Sequence, residues 1–242
     1  MAQTLRSEAV NHFVDDLKTT HGDNLHSVLL YGSGSALREA EVASEFSLVV
    51  VLERISAEDL QHARSPVREW QRIGYPAPSY FSIGELHEAS DVFPIEFRKM
   101  EQSRKILYGT DPFEFIELSD VNLRHQMEYE LRSKLLQLRR LYIESLTSVE
   151  QLTKLMIESL ASFASLFRPV LLLMGVDPPV SKVQCVRETV SRLGLDAEPF
   201  ERIFALRTSA EQLTDEVSTN QLFASYMRQI ERVIDAVDKF ES

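Results

Sequence analysis

The chain has 242 residues, enough to bury a sizeable core as one large domain or two smaller ones. With 44% hydrophobic and 26% charged residues its composition is that of an ordinary globular protein, which excludes a fibrous or disordered chain. A formal net charge of −11 works against a nucleic-acid partner, because phosphate binding needs a basic footprint.

Cys185 is the only cysteine, so no intramolecular disulfide can form, and this suits a reducing cytoplasm. The opening MAQTLRSEAVNHF has no apolar core of signal-peptide length. The greasiest stretch, residues 155–175, is interrupted by Glu158, Arg168 and Pro169. Their cost in hydrocarbon favours a buried helix over a membrane span. The expectation is a cytoplasmic protein with no membrane segment.

In chain order, residues 4–19 predict a helix with Ala9, Phe13, Val14 and Leu17 on one face. The apolar run at 26–31 closes on Gly32-Ser33-Gly34, a strand running into a turn. Residues 46–52 are almost wholly apolar, as expected of a central strand covered on both faces. Residues 57–72 predict a helix, and Pro76 and Pro78 break the pattern before a short strand at 79–83. Residues 91–97 alternate, with Phe93, Ile95 and Phe97 on one face and Val92, Pro94 and Glu96 on the other, and so predict another strand. Residues 106–108 add a short edge strand before the turn at 109–112.

From 119 onward the pattern is helical. A long helix carries Leu131, Leu135, Leu138, Tyr142 and Leu146. A second carries Leu152, Leu155, Met156, Leu160, Phe163 and Phe167 until 175–179 stops it. Shorter helices follow at 181–193 and 197–206, and the last has Leu222, Tyr226, Ile230, Val233, Val237 and Phe240 in one stripe. The expected organisation is an α/β domain over 1–118 and an all-α bundle over 119–242. The bundle's stripes, the last above all, would serve a homodimer or another protein partner as readily as an internal core.

The chemistry points to Leu29-Leu30-Tyr31-Gly32-Ser33-Gly34-Ser35 and to the strand that begins Glu45-Phe46-Ser47, with eleven residues between Ser33 and Glu45. A strand ending in Gly-Ser lets backbone N–H groups and a hydroxyl approach a phosphate. Residues 45 and 47, two apart on a strand, share a face, so acids there would converge on one metal site. A third carboxylate from a neighbouring strand would complete a site for two Mg²⁺ ions about 3.5–4 Å apart, as phosphoryl and nucleotidyl transfer use.

This layout resembles the nucleotidyltransferase superfamily related to DNA polymerase β. That family's signature is Gly-Ser, a gap of about this length, Asp-x-Asp at the head of an apolar strand, and a later third acid. The resemblance covers residues 24–110, and the region from 119 is similar to the bundles that often follow this fold in bacterial members. It implies an α/β (α+β) fold, a nucleotidyltransferase-like mixed sheet with flanking helices, followed by an all-α helical bundle. It further implies a nucleoside triphosphate as ligand, transfer of its nucleoside monophosphate to an acceptor hydroxyl, and Mg²⁺ as cofactor of an active member. Gly32 and Ser33 match the phosphate-loop positions, Glu45 the first acidic position, Ser47 the second, and Glu96 fits the third.

The departures lie at 45 and 47. Ser47 is a neutral hydroxyl where the family places a carboxylate, which removes a full unit of charge from the metal ligands. Glu45 in place of Asp pushes its carboxylate out by one methylene, which octahedral Mg²⁺ tolerates poorly. The chain therefore reads as a non-catalytic relative that binds a nucleotide or a protein partner. Two other readings stay open: an active transferase using Glu45, Glu96 and a further acid such as Asp91, and an interaction protein working through its bundle.

Plainer roles stand beside these. Glu45 would serve as a solvated strand end, and Glu96 as the partner of Arg98 or Lys99. Arg132, Lys134, Arg139 and Arg140 face either the triphosphate or solvent, the latter with i, i+4 pairs. His12, His21, His26, His62, His87 and His125 have no metal-ligand spacing. With no histidine beyond His125, the bundle cannot carry the arginine–histidine motif of the helical RNases of toxin–antitoxin systems.

Overall fold

The computed structural model of the chain describes residues 2–32, 46–114, 116–145, 148–179 and 181–240. They divide into two units, Met1–Ser119 and Asp120–Ser242. The first opens with helix α1 (Ala2–His21) and continues through β1 (Leu25–Gly32), β2 (Phe46–Leu52), α2 (Ala57–His62), α3 (Arg64–Arg72) and β3 (Ser79–Ser82). It closes with α4 (Ile83–Glu88), α5 (Pro94–Ser103) and β4 (Lys105–Gly109).

The strands form one mixed sheet in the order β3-β2-β1-β4. β1 pairs antiparallel with both β2 and β4, and β2 pairs parallel with β3. Val49, Val50 and Val51 are all fully buried, because both faces of β2 are covered and either parity of side chain meets core. On the first face Val28, Leu48, Val50 and Leu52 pack with Phe13 and Leu17 of α1 and Trp70 of α3. On the second, Leu29, Val49 and Val51 pack with Leu86 of α4 and with Phe97 and Met100 of α5. At the far end of the sheet His26 ties three strands together: its Nδ1 lies 2.9 Å from Glu53 Oε1 and its Nε2 3.1 Å from Thr110 Oγ1. The strand and helix patterning fits the α/β nucleotidyltransferase-like architecture.

Two sequence expectations are corrected here. The helix expected over 57–72 breaks at Ala63 into α2, held by a Ser56–Asp59 capping box, and α3. The strand expected over 91–97 does not form; Pro94 stands in the first turn of α5, with Glu96 beside it. Proline is preset for that position, its missing N–H costs nothing there, and Glu96 complements the positive end of the helix. A proline in a strand interior would instead cost a ladder hydrogen bond.

The second unit consists of α6 (Asp120–Ser145), α7 (Val149–Leu173), α8 (Lys182–Arg192), α9 (Glu198–Arg207) and α10 (Glu216–Asp238). Among the described residues α7 alone is long and apolar enough to cross a membrane. Yet it is a core helix: Leu152, Met156, Leu160, Phe163 and Phe167 are buried in the bundle. Leu222, Tyr226, Ile230, Val233 and Val237 of α10 are buried too, so that stripe is spent on the bundle's own core and is not free for a dimer. Phe240 falls beyond the end of α10, and Leu146 lies outside the described residues.

Candidate functional site

The end of the β1–β2 pair positions the candidate residues. Register sets Tyr31 opposite Ser47 and Gly32 opposite Phe46. Strand alternation turns Tyr31 and Ser47 to the second face, the one α5 covers, in line with Leu29, Val49 and Val51. The Ser47 hydroxyl faces the Tyr31 phenol across the strand pair, close enough to favour its ionised form. Burial pushes the Tyr31 phenol above its ordinary pKa, the Ser47 hydroxyl opposes the rise, and the negative charge of Glu96 adds to it. Glu96 therefore stands within electrostatic reach of the Tyr31–Ser47 pair, delivered by the first turn of a helix.

Glu96 is divided between two environments. Its Oε1 lies 4.0 Å from Lys99 Nζ, one helical turn away on the same surface. Its Oε2 is buried with no hydrogen-bond partner among the described residues, an unusual state for a carboxylate oxygen. Of the two cations considered as plain partners, Lys99 takes the role, while Arg98 pairs with Glu101 at 3.0 Å. Asp91 lies exposed in the turn before α5.

Gly32 has its backbone N–H committed, donating to Ser103 Oγ at 3.3 Å, and Ser103 in turn donates to the Lys99 carbonyl at 2.8 Å. The C-terminal turn of α5 thus holds the end of β1 in place. Ser33 and Glu45 lie outside the described residues, so of the five sequence candidates Gly32, Ser47 and Glu96 can be placed. These three gather at one end of the sheet. Tyr31 and Ser103 were missed in the sequence. Tyr31 was findable from the hairpin register, since its pairing with residue 47 follows from strand alternation; Ser103 carries no local signal.

Among the described residues, the donors at this end of the sheet are too few for a pair of Mg²⁺ ions. Ser47 offers a neutral hydroxyl opposite a phenol, and Glu96 is the one carboxylate of the described trio, with a lysine beside it. Among the described residues no group of three or more His, Cys, Asp or Glu side chains could hold a metal.

Within the second unit, three of the four basic residues singled out on α6 have polar partners. Arg132 pairs with Glu128 at 2.7 Å, Arg139 with Glu231 at 2.7 Å, and Lys134 donates to Ser162 Oγ at 2.7 Å. Cys185 is buried and its thiol donates to the Pro179 carbonyl.

No protein-family model matches the chain, and no curated protein matches it. Among solved structures, spectinomycin adenyltransferase AAD(9) from Enterococcus faecialis, solved with ATP and spectinomycin, is similar in fold. The likeness covers 94% of this chain and 98% of that one, with a TM-score of 0.52 and 14% sequence identity.

Proposed function

We propose that this chain is a nucleotidyltransferase-fold protein that binds a nucleoside triphosphate beside the β1–β2 end without transferring its nucleotidyl group. The observation that carries the reading is Ser47, a neutral hydroxyl opposite Tyr31 at the head of β2, where the resemblance would put the second acid. A carboxylate there would add a unit of negative charge toward two divalent cations; the hydroxyl adds none. Support for a nucleotide ligand comes from the Gly32-Ser33 bend in the sequence and from a fold likeness that extends over nearly the whole chain to a protein solved with ATP. Glu45 and Glu96 would hold at most one cation weakly. With one cysteine, buried in the bundle, the protein suits a reducing compartment, and we place it in the cytoplasm.

Calorimetric titration with each nucleoside triphosphate in Mg²⁺, run beside a pyrophosphate-release assay, tests this. The expected result is binding of at least one nucleotide with pyrophosphate at background. Turnover that Glu45→Gln or Glu96→Gln abolishes would establish an active transferase instead. Absence of binding by all four nucleotides would defeat the nucleotide reading and move attention to the bundle as a protein-docking element.

A further inference from the structure

On the other face of the sheet, a cleft of about 560 Å³ opens beside α2, α3 and β3. That volume is in the range of small-molecule sites. Leu60, Val67, Pro78 and Tyr80 contribute to its lining, and Arg64 and Arg68 stand over it one helical turn apart. Both arginines are exposed, and among the described residues neither guanidinium has an ion-pair or hydrogen-bond partner. In a molecule of net charge −11, two unpaired arginines at one cleft form a local site of opposite sign.

A second observation concerns Tyr80 of the lining. Among the described residues its hydroxyl is buried without a partner, and so are both ring nitrogens of His21, which is 8% exposed. The two rings meet edge-on with centroids 5.8 Å apart. Buried polar groups are nearly always satisfied, so the Tyr80 hydroxyl at the edge of the cleft marks a polar point of its lining that lacks a complement. Asp59, whose charge reaches His21, is occupied by Ser56 and Asn24 and does not answer the arginines.

We infer that this cleft binds a small molecule carrying a phosphate monoester on an apolar or aromatic body. A guanidinium fork matches phosphate oxygens in pairs, and two of them balance the roughly two negative charges of a monoester near neutral pH. The apolar body would lie on Leu60, Val67 and Pro78. This site does not depend on the reading of the β1–β2 end, which lies on the opposite face.

The test uses phenyl phosphate, inorganic phosphate and benzoate as calorimetric probes of the full chain. Phenyl phosphate should bind more tightly than inorganic phosphate, which lacks the apolar body, and than benzoate, which carries a single charge. The double variant Arg64→Gln/Arg68→Gln alters two exposed side chains and should fold normally by circular dichroism. It should weaken phenyl phosphate about tenfold or more, as loss of charge-assisted bonds predicts. Glu96→Gln should leave that affinity unchanged. Equal affinity in the double variant, binding of benzoate as tight as phenyl phosphate, an equal loss in Glu96→Gln, or no binding at millimolar phenyl phosphate would each overturn the proposal.

Discussion

The two faces of the sheet are closed by different means. On the first, Trp70 lies between Phe13 and Tyr75 with ring centroids 4.7 and 4.1 Å away, and its indole N–H donates to the Pro76 carbonyl at 2.9 Å. The second is apolar through Leu29, Val49, Val51 and Phe97, then turns polar at Tyr31, Ser47 and Glu96 where β1 and β2 meet. One strand serves both, since 48, 50 and 52 of β2 look one way and 47, 49 and 51 the other. Both faces thus hold aromatic contacts, but the half-buried polar trio sits only at the margin of the second. A polar group at the margin of a core costs less than one at its centre, because solvent still reaches part of it.

Removing the stack should break this arrangement most severely. Trp70→Ala is expected to cost about 3–5 kcal/mol, the range for truncating a large buried aromatic. Trp70 is the only tryptophan, so unfolding must be followed by circular dichroism rather than by intrinsic indole fluorescence. A loss under about 1 kcal/mol would mean that the first face does not anchor the unit.

The second face answers to a charge. Ser47→Asp removes the hydroxyl that faces Tyr31 and sets a carboxylate within the field of Glu96. In EDTA this should destabilise by about 1–3 kcal/mol through like-charge repulsion and loss of the hydroxyl. Combined with Glu45→Asp, millimolar Mg²⁺ should recover part of the melting temperature by binding the folded state alone. A melting temperature indifferent to Mg²⁺ would show that residues 45, 47 and 96 do not converge.

Much of this was legible in the sequence, for a physical reason. β2 is an unbroken apolar run because it is covered twice, and the apolar run of β1 closes on Gly32, so both strands could be read from the sequence pattern, though not their antiparallel pairing. The segment around Glu96 misled because seven residues alternate like a strand, whereas the helix they start is recognised from Pro94 and from Arg98, Lys99 and Met100 beyond the window. Position 96 nonetheless lies within electrostatic reach of Tyr31, from a helical turn rather than from a strand. What the sequence could not supply were the partners of long separation, such as Gly32 with Ser103, which only tertiary packing brings together.

A pH series sharpens how the second face is closed. Arg104 embraces Asp111, with its Nη2 2.7 Å from Oδ2, and the Phe113 amide donates to Oδ1 at 3.0 Å. Burial pushes the Asp111 carboxyl up, but the Arg104 hydrogen bonds, the Phe113 amide and the Arg104 charge together hold it below the ordinary carboxylate value. A lowered folded value stabilises above the unfolded pKa, and that stabilisation is lost as the pH falls through the folded one. Arg104→Ala should therefore cost about 1 kcal/mol near neutrality, with the difference from the parent shrinking in acid. A difference that stays constant from neutral to strongly acidic solution would remove Asp111 from the account.

The smallest effect is expected at Tyr80, whose hydroxyl, like the His21 ring it meets, is a polar group set against the mainly apolar first face. Among the described residues its hydroxyl is buried without a partner, and burial pushes its pKa up to about 12, so it stays protonated. A hydroxyl that was satisfied by water in the unfolded chain and by nothing in the folded one destabilises the native state. Tyr80→Phe deletes that group while keeping the ring that packs against His21, so stability should be unchanged or rise by up to about 1 kcal/mol. The sign is what decides. Chemical denaturation showing a loss of about 1 kcal/mol or more would mean the hydroxyl is hydrogen-bonded in solution, and the face would then be polar by design at that point rather than by default.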